Sequence, residues 1–267
     1  MLSGSRGLFS RTWALGESRR RLRWHIDTLW RVTEITGDFA EAWRRFERLE
    51  SLVLSTETLE WEWTRGRTSY AALLVRITDL GVRDEIERVL QAVEGIPGVD
   101  AYPEEYWHVT VKGLGFVVKE PTREDELSAE RLKSLAEEAR PLLESTRAFE
   151  AAAGPAAGFA EVVILEVHDG GVVRGLNTRL METLPGVLRA PVDGAVFLPH
   201  ISIARYGSDE GLGELKEALS RLRAEGSEGA TETEKPRFEV GEVQLIVAHL
   251  GEGAPTFEVV RSYALGR

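Results

Sequence analysis

The feature that most constrains the fold is an internal duplication, because the same order of strands and helices is predicted twice. In the first copy an apolar strand from Tyr70 to Ile77 is followed by a helix, a second strand, a second helix and a third strand. Residues 161–265 show the same succession. Two copies of a strand–helix–strand–helix–strand unit predict an α+β protein built from two similar halves.

Each copy contains one strand with a histidine at its beginning. The first strand reads WHVTV at residues 107–111, and the second reads PHISI at residues 199–203. Because alternate side chains of a strand point to opposite faces, His108 and Thr110 share one face, as do His200 and Ser202. The remaining face of each strand is apolar and suited to burial. The two polar faces are therefore predicted to line a cleft.

Two imidazoles and two hydroxyls in one cleft suit the chemistry of phosphate esters. Cleavage of a phosphodiester needs one group that takes a proton from the attacking oxygen and another that gives a proton to the leaving oxygen. Histidine titrates near pH 6.5, so both of its protonation states are accessible near neutrality. The hydroxyls can donate hydrogen bonds to the non-bridging phosphate oxygens. Since the chain lacks cysteine and has no carboxylate cluster beside these motifs, the sequence implies no metal and no cofactor.

Other side chains near the motifs are candidates for substrate binding. Lys112 is predicted to share the face of His108 and to attract phosphate, with a solvated strand lysine as the alternative. Arg205 reaches the phosphate only if a bulge or the strand end interrupts the alternation after Ser202, and a structural ion pair is its alternative. Four aromatic residues could stack on a nucleobase, with core packing as the alternative: Tyr70, Tyr106, Phe197 and Tyr206.

Composition narrows the class of protein and of substrate. With 43% hydrophobic and 29% charged residues, the chain has the composition of a folded globular protein. No apolar run approaches the roughly 18 residues of a membrane span, and no secretory signal is recognisable, so we expect a cytoplasmic protein without membrane contact. The net charge of −11 argues against a grip on long nucleic acid. Any nucleic-acid substrate is expected to be a short piece or a chain end.

Residues 1–56 differ in character from the rest and are predicted to form a helical N-terminal extension, with residues 57–267 as the main domain. Apolar side chains from Phe39 to Leu49 follow helical spacing, and Asp38 is the expected N-cap. Residues 59–64 alternate and predict a strand that forms a hairpin with residues 70–77. The extension is predicted to pack against the domain, and a lid over the cleft or a partner-binding arm are the alternatives.

The two motif regions also resemble a known family. HVTVKGLG at residues 108–115 and LPHISIAR at residues 198–205 closely resemble the paired motifs of the 2H phosphoesterase superfamily, in its 2′-5′ RNA ligase-like, RNA 2′,3′-cyclic phosphodiesterase branch. The resemblance covers roughly residues 69–267. It implies a bilobal α+β fold with two pseudo-symmetric antiparallel sheets, flanked by helices around a central cleft. It also implies metal-independent hydrolysis of cyclic phosphates or 2′-5′ linkages.

The resemblance gives each motif residue an expected role. His200 is expected to be the base that activates water and His108 the acid for the 2′-oxygen, and the two exchange roles with the direction of reaction. Thr110 and Ser202 are expected to hold the phosphate. The expected substrates are RNA 3′ or 5′ ends, short oligonucleotides or nucleotides. The alternative is a non-catalytic RNA- or nucleotide-binding module that uses the same cleft.

Overall fold

The computed structural model describes residues 37–52, 63–159, 161–227, 235–251 and 254–266. Five helices lie wholly within these ranges: α1 Phe39–Arg48, α2 Leu80–Val93, α3 Ala129–Ser145, α4 Val172–Thr183 and α5 Leu212–Ser227. The described strands are β1 Ser69–Arg76, β2 Val99–Ala101, β3 His108–Val117, β4 Glu126–Leu127, β5 Phe149–Phe159, β6 Val162–His168, β7 His200–Tyr206, β8 Arg237–Val240, β9 Glu242–His249 and β10 Thr256–Ala264.

The strands form one sheet in the order β10-β9-β1-β3-β7-β6-β5-β8, with β2 added to β7 and β4 added to β3. All neighbours along this path pair in the antiparallel sense, and the short β4 pairs with β3 in parallel. The predicted α+β class and antiparallel pairing are thus confirmed. The two predicted sheets are joined, however, because Val109 of β3 pairs with Ile201 of β7.

The duplication is confirmed, and its two copies exchange elements. The last strand of the first copy, β5, pairs with β6 of the second copy, and β9 of the second copy pairs with β1 of the first. Helices cross in the same way, because α2 packs near α5 and β7 while α4 packs against β3. Each half of the sheet is therefore assembled from both halves of the chain.

The two copies begin their first helices with equivalent aspartates. Asp79 caps α2 by accepting a hydrogen bond from the Val82 amide at 3.0 Å. Asp169 accepts hydrogen bonds from the amides of Gly171 at 2.8 Å and Val173 at 2.6 Å before α4. Each cap satisfies amides that the first helical turn leaves unpaired. Because both aspartates cap the first helix of their copy, residues at the same distance from Asp79 and Asp169 occupy equivalent positions in the two copies.

The predicted helix after Asp38 is confirmed as α1, whose N-cap side chain accepts a hydrogen bond from the Ala40 amide. Phe46 of α1 is buried, fills the space above Gly158 and packs edge-on against Tyr206. Residues 1–36 and 53–56 of the predicted extension lie outside the described residues, so its extent as a separate segment stays a prediction.

The prediction of a strand over residues 59–64 is wrong for its last two residues. Trp63 and Thr64 are helical, whereas residues 59–62 lie outside the described part of the chain. The Trp63 ring packs on the rings of Tyr70 and Phe116, and its carbonyl accepts a hydrogen bond from Arg67. These contacts with the start of β1 and the end of β3 hold a helical turn where local alternation predicts a strand.

Candidate active site

The pairing of Val109 with Ile201 fixes the positions of the four polar motif residues. Both apolar residues are buried in the core that the helices cover. Continuing the antiparallel register puts His108 opposite Ser202 and Thr110 opposite His200, all on the other face. Side chains directly opposite in such a pair have Cβ atoms about 4.5–5.5 Å apart, and diagonal ones about 7–8 Å. The two histidines therefore occupy diagonal corners of one polar square.

Both imidazoles are held by the same local contact. Nδ1 of His108 lies 2.5 Å from the Tyr106 carbonyl oxygen, and Nδ1 of His200 lies 2.7 Å from the Leu198 carbonyl oxygen. Because a carbonyl oxygen only accepts hydrogen bonds, each Nδ1 carries the hydrogen, and Nε2 of the neutral ring keeps its lone pair. Within the described residues neither Nε2 has a hydrogen-bond partner. Both rings are thus prepared to exchange a proton at Nε2.

Burial keeps both rings neutral in the unliganded protein. It lowers the pKa of His108 to about 4, against the raising effect of the bond to the Tyr106 carbonyl; His200, whenever it is protonated, and the guanidinium of Arg76 lower it further. Burial also lowers the pKa of His200, opposed by the bond to the Leu198 carbonyl. An anion between the rings favours their protonated forms. Phosphate binding and proton uptake are therefore coupled at this site.

Three residues that were not predicted from the sequence lie beside the histidines: Phe257, Phe159 and Arg76. Phe257 and Tyr106 stand edge-on to the His108 ring, with centroids at 5.2 Å and 5.1 Å. Phe159 lies 5.2 Å from the His200 ring. Arg76 is the register partner of His108 on β1. Its guanidinium donates to the Glu105 carbonyl and lies 5.5 Å from the centre of the Phe257 ring.

The position of Arg76 could have been found from the repeat. Arg76 lies three residues before Asp79, and Glu166 lies three residues before Asp169. Glu166 is correspondingly the register partner of His200. Its buried carboxylate binds Arg223 at 2.7 Å and His168 at 3.1 Å. The two halves of the site thus carry opposite charges at equivalent positions.

The hydroxyls of the two motifs are available to a ligand. Thr110 and Ser202 are both partly exposed on the face of the histidines. In the part of the chain that the structure describes, neither hydroxyl has a hydrogen-bond partner. A polar group in a part-buried setting is stabilised when a ligand completes its hydrogen bonds. The geometry agrees with the predicted role of both hydroxyls in holding a phosphate, which stays a prediction.

The prediction that Lys112 binds phosphate is wrong, because a β-bulge follows the first motif. Thr110 pairs with Leu74 and Lys112 pairs with Leu73, so Val111 is an extra residue in β3. The bulge turns the Lys112 side chain to the helix-covered face. There it is fully buried, with Nζ 2.5 Å from a carboxylate oxygen of Asp193.

The buried ion pair belongs to a network that fixes the bulge. The Asn177 amide donates to the Val111 carbonyl and to Asp193, both at 2.9 Å. Asp193 also accepts a hydrogen bond from the Ala190 amide at 2.7 Å. The network ties the first histidine strand to the segment that leads into the second.

A second β-bulge follows the second motif. Whereas the first bulge turns Lys112 away from the cleft, the second turns Arg205 towards it. Ser202 pairs with Ile164 and Ala204 pairs with Val163, which leaves Ile203 as the extra residue. Arg205 is therefore returned to the face of Ser202, as the sequence reasoning required. Its Nε lies 3.3 Å from a carboxylate oxygen of Asp100. A contact between Arg205 and phosphate stays a prediction.

Comparison with known proteins decides the family. A model of the 2′-5′ RNA ligase superfamily matches residues 82–252, which is more than half of the chain and includes both histidine motifs. The chain belongs to the 2′-5′ RNA ligase superfamily. The family resemblance predicted from the two motifs is thereby confirmed. No curated protein sequence matches the chain.

Two solved structures share this fold at low sequence identity. A crystal structure titled phosphoesterase is 17% identical, with a TM-score of 0.51, and the match covers 75% of this chain and 99% of that one. E. coli LigT in complex with NADP+ is 15% identical with a TM-score of 0.50, covering 76% and 100%. A protein of Thermus thermophilus is 18% identical with a TM-score of 0.49, covering 73% and 97%.

Two of the predicted base-stacking residues are not on the cleft face of this superfamily member. Tyr206 is buried and packs against Phe46 of α1. Phe197 is also buried, and its carbonyl accepts a hydrogen bond from Arg174 at 2.8 Å. Both predictions are wrong, because side chains from α1 and the core cover these rings.

Tyr106 and Tyr70 remain candidates for substrate contact. Tyr106 is partly exposed beside the His108 ring. Tyr70 packs on Trp63 and Phe116, and its hydroxyl lies against Gly113. Its phenol is neutral at physiological pH and can donate a hydrogen bond, and burial raises the pKa of Tyr70 further above its ordinary value.

Metal sites and membrane spans are both absent from the described residues. Among these residues, no group of three or more His, Asp or Glu side chains has the arrangement of a metal site. None of the helices in this part of the chain combines the length and the apolar composition that a bilayer crossing needs.

Proposed function

We propose that the protein is a metal-independent phosphodiesterase that hydrolyses 2′,3′-cyclic phosphates, or 2′-5′ linkages, on RNA ends or nucleotides. One observation carries the proposal: His108 and His200 lie at diagonal corners of one polar square, each with Nδ1 bound to a carbonyl and Nε2 without a partner in the described structure. Membership of the 2′-5′ RNA ligase superfamily supports phosphoesterase chemistry.

The charges around the two rings favour an order of proton transfer opposite to the one expected from the sequence. Arg76 and His200 both oppose protonation of His108, so His108 suits the base. Its Nε2 takes a proton from water while the water oxygen bonds to phosphorus. The bond from phosphorus to the 2′-oxygen breaks, and that oxygen receives a proton from Nε2 of His200. The Thr110 and Ser202 hydroxyls donate to the non-bridging oxygens, whose charge grows in the transition state.

A nucleotide-sized substrate agrees with the comparisons and with the charge of the chain. E. coli LigT has been crystallised with NADP+ and with 3′-AMP. The net charge of −11 here disfavours a long polyanion. A chain end or a nucleotide presents few phosphates and can be held by a small number of hydrogen bonds in the cleft.

The proposal is tested by turnover without metal. Nucleoside 2′,3′-cyclic phosphates and a 2′-5′-linked dinucleotide are incubated with the protein in EDTA, and the phosphomonoester products are separated by chromatography. We expect ring opening or cleavage, with a bell-shaped pH dependence that belongs to the histidine pair as a unit. Tight binding of these compounds without any turnover would instead identify a nucleotide-binding module.

A further inference from the structure

The two ends of the sheet differ in how open they are to pairing with another chain. One end is β8, a strand of only four residues. The other end is β10, which has nine residues, and in the described part of the chain no strand lies beyond it. Val259 and Val260 in the middle of β10 are 52% and 41% exposed, and the strand contains neither lysine nor proline. A long edge strand of this composition favours the addition of a further strand.

We propose that the further strand is β10 of a second copy, so that two chains form a symmetric dimer by antiparallel pairing of this strand. In the proposed register the two-fold axis passes between Val259 and Val260. A two-fold interface uses the same surface of both subunits, so β10 must be complementary to itself. The inference is independent of the proposed function, because it rests on the exposure, the pairing and the charges of β10.

A β-bulge in the middle of β10 favours an identical partner over an unrelated strand. Val259 pairs with Ile246 of β9 and Arg261 pairs with Leu245, which leaves Val260 as the extra residue. An extra residue disturbs pairing with a regular strand, and edge strands use bulges to avoid such pairing. Two copies of β10 carry the extra residue at the same place. An axis through the bulge therefore sets the two irregular positions opposite each other and leaves neither strand with an unmatched residue.

The bulge also gives β10 matching faces on the two sides of the axis. Ahead of the bulge, Phe257 lies on the cleft face and Glu258 on the helix-covered face. After the bulge, Ser262 lies on the cleft face and Arg261 on the helix-covered face. In the proposed register Phe257 lies opposite Ser262 of the partner subunit, and Glu258 lies opposite Arg261 of the partner subunit. Each pair thus shares one face of the joined sheet, as antiparallel pairing requires.

Charge complementarity favours this register over its neighbours. Opposite charges at directly opposite positions stabilise a strand pair, and the axis creates the contact between Glu258 and Arg261 twice. Within one chain these side chains lie beside His249 at 3.2 Å and Glu137 at 2.6 Å. Both of these ion pairs are exposed, and exposed ion pairs are weak, so they do not prevent a contact across the interface.

The proposed interface reaches the border of the candidate active site. The Phe257 ring stands edge-on to the His108 ring, with centroids 5.2 Å apart. In the dimer, the cleft face of the sheet continues from Phe257 to Ser262 of the partner subunit. Dimer formation therefore adds a second chain beside one of the rings that surround His108.

Reversal of single charges tests both the dimer and its register. Sedimentation equilibrium of the full chain at micromolar concentrations should give a reversible dimer, with twice the mass of one chain. Glu258→Arg and Arg261→Glu each set like charges opposite each other twice, and each should raise the dissociation constant of the dimer about tenfold or more. An equimolar mixture of the two variants restores both opposite-charge pairs and should dimerise about as tightly as the wild type. Glu239→Arg, at an exposed residue of β8, is the matched control and should leave the dissociation constant unchanged.

The remaining outcomes overturn the proposal. A wild-type chain that stays monomeric over this range would do so, and would leave the edge of β10 to a strand of another protein. A dimer with the same dissociation constant in both variants uses another surface, and a mixture that does not dimerise contradicts the register. If a single variant loses its circular dichroism spectrum, the double variant with both reversals decides, because it restores the opposite-charge pairs between identical chains. Its dimerisation would support the register, and a monomeric double variant would overturn it.

Discussion

Val109 of β3 pairs with Ile201 of β7, and around this residue pair the four polar motif side chains share one face of the sheet. A shift of either strand by one residue would turn its histidine to the core. The burial of both apolar side chains on the helix side opposes such a shift. The geometry of the site therefore depends on the same contact that joins the two halves of the sheet.

Removal of either imidazole is expected to abolish most of the turnover. His108→Ala and His200→Ala should each lower kcat by about 10²–10⁴, because each removes one of the two proton-transfer groups. The kcat of the double variant should be only slightly lower than that of the less active single variant, since the two groups act as a unit. His168→Ala, an exposed histidine outside the polar square, is the control and should retain activity. Single variants that keep near-normal kcat, with unchanged circular dichroism, would contradict the assignment.

The motif hydroxyls are expected to act on the phosphate rather than on the fold. Thr110→Val keeps the shape of the side chain and removes its hydroxyl, which has no partner in the described structure. We expect kcat to fall by about 10²-fold, as for the loss of one donor to a developing oxyanion, with little change in the free energy of unfolding. Thr178→Val, which removes a hydroxyl bound to the Arg174 carbonyl in α4, is the matched control. A drop in stability for Thr110→Val without a drop in kcat would oppose this role.

The buried histidines are expected to make the fold sensitive to mild acid. The pKa of His108 falls from 6.5 to about 4 on folding, so the unfolded chain binds more protons between these values. The free energy of unfolding should decrease as the pH falls through this window, by on the order of 3 kcal/mol for this residue. Urea titrations at several pH values measure the slope. His108→Gln should reduce it, and an unreduced slope would show that His108 is not the cause.

Arg76 is expected to set the acidic limb of the pH–rate profile. Its positive charge lowers the pKa of His108, so Arg76→Gln should raise that pKa. If neutral His108 is the base of the free enzyme, the acidic limb of kcat/KM then moves to higher pH. Arg237→Gln removes the same charge from an exposed ion pair with Glu150 and should leave the limb in place. A limb that does not move in Arg76→Gln would assign the base to His200 instead.

The buried ion pair under the first bulge is expected to contribute to stability only as a pair. Lys112→Met leaves the Asp193 carboxylate buried without its cation, which should lower the free energy of unfolding by about 3–5 kcal/mol. Adding Asp193→Asn removes the unpaired charge and should recover part of the loss. Chemical denaturation of the single and double variants gives both values. A single variant of wild-type stability would contradict the view that this pair fixes the bulge.

Features that repeat along the chain could be predicted, and features decided by distant partners could not. Strand alternation correctly predicts that Val109 and Ile201 are buried beneath the polar motif faces. It fails at Lys112, because the extra residue in β3 is set by pairing with β1 and by Asp193, which lies far along the chain. The prediction that Tyr206 stacks on a base rested on its proximity to the second motif. It fails for a similar reason, because Phe46 of α1, which is distant in sequence, covers its ring.

The exchange of β5 and β9 between the two halves of the sheet has a consequence for how such a molecule is assembled. A chain cut after residue 159 yields two fragments, and each lacks a strand that the other supplies. Neither fragment is then expected to fold alone, while the two together can rebuild the sheet. Two identical half-length chains that exchanged their last strands in a symmetric dimer would have the same arrangement. Fusion of the two chains into one would then give the present order of elements. Arg76 and Glu166 occupy equivalent positions in the two copies, so they show one place where the sequences of two originally identical halves would have diverged.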